Sequence, residues 1–303
     1  MTALTVDGRP RTLHVEHCMG TVFTIDIRDP GSWVDAIAEA VAWLRRVDQM
    51  FSTYRADSDI SRVRRRELAV EDAHPDVAAV VDLCAVIEAE TDGYFTPFWD
   101  TDIDPTGLVK GWAIEQASRL LAARGSRNHS VNGGGDVQLA GVPAPGRPWR
   151  VGISDPFDRT RVLSVVEGSD FAVATSGTAE RGAHIVNPVT GAAAGELASV
   201  TVVGRSLTRC DAYATAAFAR GRGARRWMEG VPDHEALIVS THGLVTQTAG
   251  FPVVDPTAIA EVPRQVTPRR VPVGRRERKK SQTTRRAAGV APSPPGQAWL
   301  PPR

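Results

Sequence analysis

Asp211 and Thr215, in the segment RCDAYATAAFAR, are spaced for chemistry. Four residues apart on a helix, their side chains share one face. Ala212, Ala216, Ala217 and Phe218 leave that face little choice but to turn inward. A buried carboxylate without a partner is costly. A hard divalent cation would satisfy it, with the threonine hydroxyl as a second oxygen ligand. A capping or hydrogen-bonded aspartate near a helix start is the alternative that spacing leaves open. A second candidate is DIDPTGLVKGWAIE, residues 102–115. Asp104-Pro105-Thr106-Gly107 reads as a turn before a helix, whose free N–H groups favour an anion. Lys110 falls in the first turn, where the helix dipole disfavours a cation. A ligand phosphate would account for it; a solvated lysine is the alternative.

Three further stretches carry more polarity than a core needs. In VNGGGDV, residues 131–137, three glycines between strands permit close backbone approach to a flat or charged group, or form a flexible hairpin loop. In VATSGTAERGAHIVNPVTG, residues 173–191, Thr175, Ser176 and His184 set hydroxyls and an imidazole beside strand-like segments. His184 is either structural or a proton carrier. Tyr54, in FSTYRADSDISRV, offers an aromatic face and a hydroxyl, or is a core-edge aromatic. Together these stretches describe a site for one hard cation, an anionic ligand and an aromatic ring system.

The elements that position them have an α+β pattern, with strands in runs and helices not strictly alternating with them. Alternation over 11–28, broken at Met19-Gly20-Thr21, predicts two strands. Trp33, Ile37, Val41, Leu44 and Val47 predict a helix over 32–51, with Ser32 and Asp35 resembling a capping box. Further helices are expected over 76–90, 109–124 (ending before Gly125), 209–220 and 222–229. Strands are expected over 129–132, 137–140, 149–153, 162–174 as two, 184–187 and 198–203. EALIVS and LVTQT, separated by Thr241-His242-Gly243, read as a closing hairpin.

The 303 residues, 42% hydrophobic and 23% charged, are the composition of an ordinary globular protein. The net charge of +1 is unevenly spread. Residues 253–303 hold eleven Lys/Arg against three Asp/Glu, a net of +8 that leaves −7 for the rest. That Pro- and Arg-rich segment cannot bury enough apolar surface to offset its ordering entropy. We expect a globular domain over 1–252 and a disordered basic tail over 253–303, able at most to touch anionic surfaces weakly, with no specific nucleic acid. No apolar run suggests a membrane span, and MTALTVDGRPRTLHVEH has no basic start followed by an apolar core. Cys18, Cys84 and Cys210 are too few and scattered for a disulfide framework or a cysteine zinc site. These features argue for a reduced, cytoplasmic setting. The absence of G-x-G-x-x-G and G-x-x-x-x-G-K-[ST] excludes Rossmann and P-loop nucleotide binding.

The ordered motifs M-G-T (19–21), F-S-T-Y…S-D-I-S-R (51–62), T-D-G-Y-F (91–95), D-P-T-G-x-x-K-G (104–111), N-G-G-G-D (132–136), A-T-S-G (174–177), H-I-x-N-P-x-T-G (184–191) and D-A-Y-A-T-A (211–216) resemble the ApbE family of FAD:protein FMN transferases. The resemblance spans roughly 17–251. It implies an ApbE-like α+β fold with mixed or antiparallel sheets and packed helices. It implies FAD, the substrate, in a cleft formed by Met19, Tyr54, Gly93, Tyr94, Phe95, Thr96, Asp104 and Lys110, with a contact near His184 and Ile185. It implies Mg²⁺ held by the Gly107 carbonyl, Asp211 and Thr215, helped by the Ala214 backbone. The implied reaction is attack by a Thr or Ser hydroxyl of an acceptor protein, a redox-system subunit, on the FMN-side phosphorus of FAD, releasing AMP. His184 is the candidate general base. Two positions depart from the family pattern: Thr96 and Asn187 stand where an aspartate is usual, and Asp100 or Asp102 could substitute for the first. Hydrolysis of FAD to FMN and AMP, and non-catalytic flavin binding, are the competing readings.

Overall fold

A computed structural model describes residues 2–6, 9–99, 102–178 and 185–253. All of these lie in the first of the two compact units into which the chain divides, Met1–Val262 and Pro263–Arg303. The expected basic tail, Val253 apart, lies outside the described residues, as do His184 and Asp100.

Among the described residues, nine strands form one antiparallel sheet. In chain order they are β1 (Thr2–Val6), β2 (Arg9–Cys18), β3 (Thr21–Ile27), β6 (His129–Gly133), β7 (Asp136–Ala140), β10 (Ala172–Gly177), β11 (Leu197–Gly204), β12 (Glu235–Ser240) and β13 (Val245–Gln247). Their order across the sheet is the same, because each inserted helix or hairpin returns the chain beside the strand it left. β4 (Phe98–Trp99) pairs with β5 (Asp102–Ile103), and β8 (Trp149–Ser154) with β9 (Val162–Gly168), as separate ribbons.

Strand periodicity divides the core. Ala172 and Ala174 of β10, Val200 and Val202 of β11, and Ala236 and Ile238 of β12 join one cluster with the helices. Val173, Val203 and Leu237, one residue out of step, join a second cluster with Trp149, Ile153 and Val166 of the β8–β9 ribbon. The sheet therefore sits between a helical layer and a small β layer, and β11 is buried along its length.

The helical layer holds α1 (Val34–Phe51), α3 (Pro75–Glu90), α4 (Thr106–Ala123) and α5 (Leu207–Arg220). Two short helices, α2 (Asp59–Arg64) and α6 (Ala224–Met228), follow α1 and α5. Trp112 of α4 meets Trp43 and Phe51 of α1 edge-on, and Trp43 Nε1 donates to the Ala113 carbonyl at 3.0 Å. Glu115 of α4 caps α5: its Oε2 accepts from Ser206 Oγ, Thr208 N and Thr208 Oγ1 at 2.7–2.9 Å. Burial raises the Glu115 pKa, but these bonds and the nearby Arg119 guanidinium outweigh it and leave the carboxyl below its ordinary value.

Three sequence expectations need correction. The residue before α1 is Trp33, and no side chain caps that helix; the Ser32–Asp35 pair sits one residue too early in the chain to serve. α4 begins at Thr106 rather than 109, because Asp104 Oδ1 accepts the Thr106 N–H at 3.0 Å and starts the turn. The expected strand over 184–187 is, in its described part, a single bridge of Val186 to Ala193.

Candidate functional site

Register gathers the site at one end of the sheet. The β2–β3 turn closes at Cys18 and Thr21, and the β6–β7 turn at Gly133 and Asp136. Phe23 pairs with Gly133, and the Gly134 N–H donates to the Val22 carbonyl, so the two turns are neighbours. Gly134 (φ 61°) and Gly135 (φ 98°) both take the left-handed conformation of a tight two-residue hairpin. The glycine run is thus accounted for by the turn. Met19 (φ 51°) takes the same conformation in the neighbouring turn, which costs a non-glycine residue about 1–2 kcal/mol. Backbone strain of this kind collects at functional sites.

Four elements converge on this end. Lys110 of α4 forms ion pairs with Asp136, at the start of β7, and with Asp211 of α5, the latter at 3.3 Å. Asp136 is 2% exposed and Asp211 5% exposed. Asp136 Oδ1 accepts the Thr175 N–H of β10 at 2.9 Å, and Asp211 Oδ2 accepts the Gly111 N–H at 2.9 Å. One turn along α5, Thr215 Oγ1 lies 3.1 Å from Ser176 Oγ of β10. α4 and α5 can come this close because residue 111 has no side chain: a Cβ there would lie 2.7 Å from the Leu207 carbonyl oxygen and 2.8 Å from Asp211 Cβ.

The donors presented are a carboxylate and two hydroxyls, all oxygen, with buried carboxylates carrying one more negative charge than the lysine neutralises. That set fits a small hard cation. Among the described residues, no group of three or more His, Cys, Asp or Glu side chains forms a metal cluster. Cation binding here would draw on hydroxyl and carbonyl oxygens beside Asp211. The Ala214 backbone lies on α5 one residue before Thr215.

The remaining expected residues are distributed as follows. Lys110 is half-buried and held by two carboxylates, which account for it without a phosphate. Asp104 and Gly107 form the start of α4. Phe95 is buried, its ring 3.2 Å from where a Gly107 Cβ would stand, so the ring supports the helix start rather than facing a ligand. Gly93 is left-handed (φ 75°), and the Tyr94 ring is covered by the Arg220 guanidinium at 4.1 Å. Ile185 is buried in the core. Tyr54 is 99% exposed, which excludes a core-edge role. His184 lies outside the described residues.

Both departures from the family pattern preserve local turns. Thr96 Oγ1 accepts the Phe98 N–H at 3.1 Å, as an aspartate carboxylate would. Asn187 Oδ1 accepts the Val189 and Thr190 N–H groups, while its Nδ2 donates to the Ala219 carbonyl at 3.0 Å, a bond no aspartate could make. Asp102 is held by Arg64, whose Nε donates to both its oxygens at 2.9 Å.

The ApbE family model matches residues 19–101 and 99–238. The chain belongs to the ApbE family. Among curated relatives, the FAD:protein FMN transferase of Vibrio cholerae serotype O1 is 33% identical over 129 residues, 39% of either chain. That of Escherichia coli K12 is 30% identical over 126 residues, 38% of this chain and 36% of its own. That of Rhodobacter capsulatus is 36% identical over 122 residues, 38% of this chain and 23% of its own. The aligned stretch thus spans less than two fifths of these relatives. Among solved structures, the flavin transferase ApbE of Vibrio cholerae matches with a TM-score of 0.70 at 22% identity, over 80% of this chain and 99% of that one. The flavinyl transferase ApbE of Pseudomonas stutzeri, apo form, matches at 0.69 and 24%, over 80% and 95%. These likenesses carry the fold: mixed helices and antiparallel sheet, as the motifs implied. No helix among the described residues is long and apolar enough to cross a membrane.

Sequence reasoning missed Asp136 and Gly111 as parts of this ApbE-family site. The signal for Asp136 was available, since a lone carboxylate entering the apolar strand DVQLA faces the same burial cost as Asp211. Nothing in the sequence marks Gly111 as a helix-crossing point. The cysteines take no part: burial pushes Cys18 and Cys84 up to about 12 and raises Cys210, so none supplies a thiolate at neutral pH.

Proposed function

We propose that this chain is a Mg²⁺-dependent flavin transferase that moves FMN from FAD to a Thr or Ser hydroxyl of an acceptor protein. The observation that carries this reading is the pairing of half-buried Lys110 with the buried Asp136 and Asp211, beside the Thr215 and Ser176 hydroxyls. Phosphoryl transfer needs positioning and charge more than covalent help, and this arrangement supplies both. Asp211, Thr215 and the Gly107 carbonyl are the proposed Mg²⁺ ligands. The Gly111 N–H, one helical turn after Gly107, donates to Asp211 Oδ2, which brings the start of α4 beside that carboxylate and supports the Gly107 carbonyl as a ligand. When bound, Mg²⁺ supplies charge neutralisation for the diphosphate.

In this reading Lys110 holds the diphosphate and Tyr54 offers its exposed ring to a flat part of FAD. Met19, Asp104 and the 93–96 segment line the cleft, Phe95 from within. The acceptor hydroxyl oxygen bonds to the FMN-side phosphorus, the bond from that phosphorus to the bridging oxygen breaks, and AMP leaves with that oxygen. His184 takes the hydroxyl proton. The acceptor is a protein bearing a reachable Ser or Thr, and three unpaired cysteines support a reducing, cytoplasmic setting.

Incubation with FAD, Mg²⁺ and a candidate acceptor, followed by intact-mass spectrometry, tests this. One FMN added to the acceptor is the expected result. Free FMN with no acceptor present makes the protein a hydrolase, and tight FAD binding without turnover makes it a carrier. Asp211→Ala should abolish Mg²⁺-dependent turnover; wild-type rates in that variant refute the metal assignment.

A further inference from the structure

We infer that Asp136 is a positioning residue: it holds the Lys110 ammonium beside Asp211, so that the lysine is an internal counter-ion for two buried carboxylates until a cation and a phosphate replace it. The inference rests on the metal and phosphate roles proposed above. Lys110 Nζ is ion-paired with both carboxylates, which come from β7 and α5. Each is fixed independently of the lysine, Asp136 by the Thr175 N–H and Asp211 by the Gly111 N–H. Asp136 Oδ2 faces the ammonium and accepts no hydrogen bond besides. Two buried carboxylates without a counter-charge would be strongly disfavoured. One lysine between them leaves a net charge of −1, which admits a divalent cation.

Neither the Gly111 bond nor the Lys110 contact uses Asp211 Oδ1. A cation at Asp211 weakens the hold of that carboxylate on Lys110 by like-charge repulsion, and Asp136 keeps the ammonium from leaving the site. The lysine is then available to a substrate phosphate. Linkage makes the effect reciprocal: a phosphate that draws Lys110 away from Asp211 tightens the cation site.

The test is Mn²⁺ binding to the full chain without FAD, followed by electron paramagnetic resonance. Lys110→Gln removes the competing charge and should tighten Mn²⁺ binding about tenfold. Asp136→Asn leaves Lys110 to Asp211 alone and should weaken it by several-fold. Asp136→Asn should cost several-fold less affinity in the Lys110→Gln background than in the wild-type chain, a non-additivity that a merely structural role for Asp136 does not predict. Shifts of the same sign in the two single variants, or an equal cost of Asp136→Asn in the two backgrounds, overturn the inference while leaving the metal site standing. Failure of the wild-type chain to bind Mn²⁺ at millimolar concentration overturns the metal site and the inference together. Circular dichroism and thermal melting establish that each variant is folded, and should Asp136→Asn fail to fold, unchanged or weaker binding by Lys110→Gln is by itself a refutation.

Discussion

Gly111→Ala tests the link between helix packing and the site. The added methyl carbon would lie 2.7 Å from the Leu207 carbonyl oxygen, 2.8 Å from Asp211 Cβ and 3.1 Å from Asp211 Oδ2. The nearest of these atoms is backbone, so no side-chain rotation relieves it. Restoring an ordinary contact of 3.4 Å requires α4 and α5 to part by about 0.7 Å. Overpacking of this kind costs about 1–3 kcal/mol. Replacing glycine by alanine in a helix interior returns about 1 kcal/mol. The net loss is then up to about 2 kcal/mol, or a fall in Tm of up to roughly 8 °C for a domain of this size. The same displacement moves Asp211 and Thr215 of α5 together away from Lys110 of α4, and a misplacement of about 1 Å can lower turnover roughly a hundredfold. Differential scanning calorimetry and an FMN-transfer assay read the two effects. A variant with a higher Tm and unchanged turnover refutes the claim that close helix approach builds the site.

Other outcomes follow from single contacts. His129 is fully buried between Ser118 and Ser126, and burial lowers its pKa to about 4. Its folded pKa lies below the unfolded value of 6.5, so the unfolded chain binds the extra proton as pH falls through that interval. Stability should therefore be unaffected by this group above pH 6.5 and fall by about 3 kcal/mol on approaching pH 4; urea midpoints across this range measure it, and His129→Gln should flatten the slope. Asn187→Asp, which restores the family's usual residue, should lower stability by about 1–3 kcal/mol in thermal melts, because a carboxylate oxygen would then face the Ala219 carbonyl. Tyr54→Ala should leave Tm nearly unchanged, since the ring is 99% exposed, yet raise the FAD dissociation constant measured by fluorescence; unchanged affinity removes Tyr54 from the cleft.

The helices over 34–51 and 75–90, the strand runs and the closing hairpin were legible because hydrophobic period reports directly on which face is buried. Asp211 and Thr215 were legible for the same reason: helical spacing on an apolar face is a local property of the chain. The short helix Asp59–Arg64 and the two-residue strands at 98–99 and 102–103 were not, since so few residues carry no period. Thr96 and Asn187 read in the sequence as lost acids. Their hydrogen bonds make them turn residues instead, and the Asn187 bond to Ala219 crosses to α5.

What the sequence by itself determined is the inventory: an α+β chain, a buried carboxylate one turn from a hydroxyl, a lysine near a helix start, and turns rich in glycine. Only the tertiary structure decided that Lys110, Asp136 and Asp211, up to 101 positions apart in the chain, share one charge group. The physical reason is that periodicity says which way a side chain faces, whereas which groups meet depends on strand register and on how closely α4 and α5 approach at Gly111.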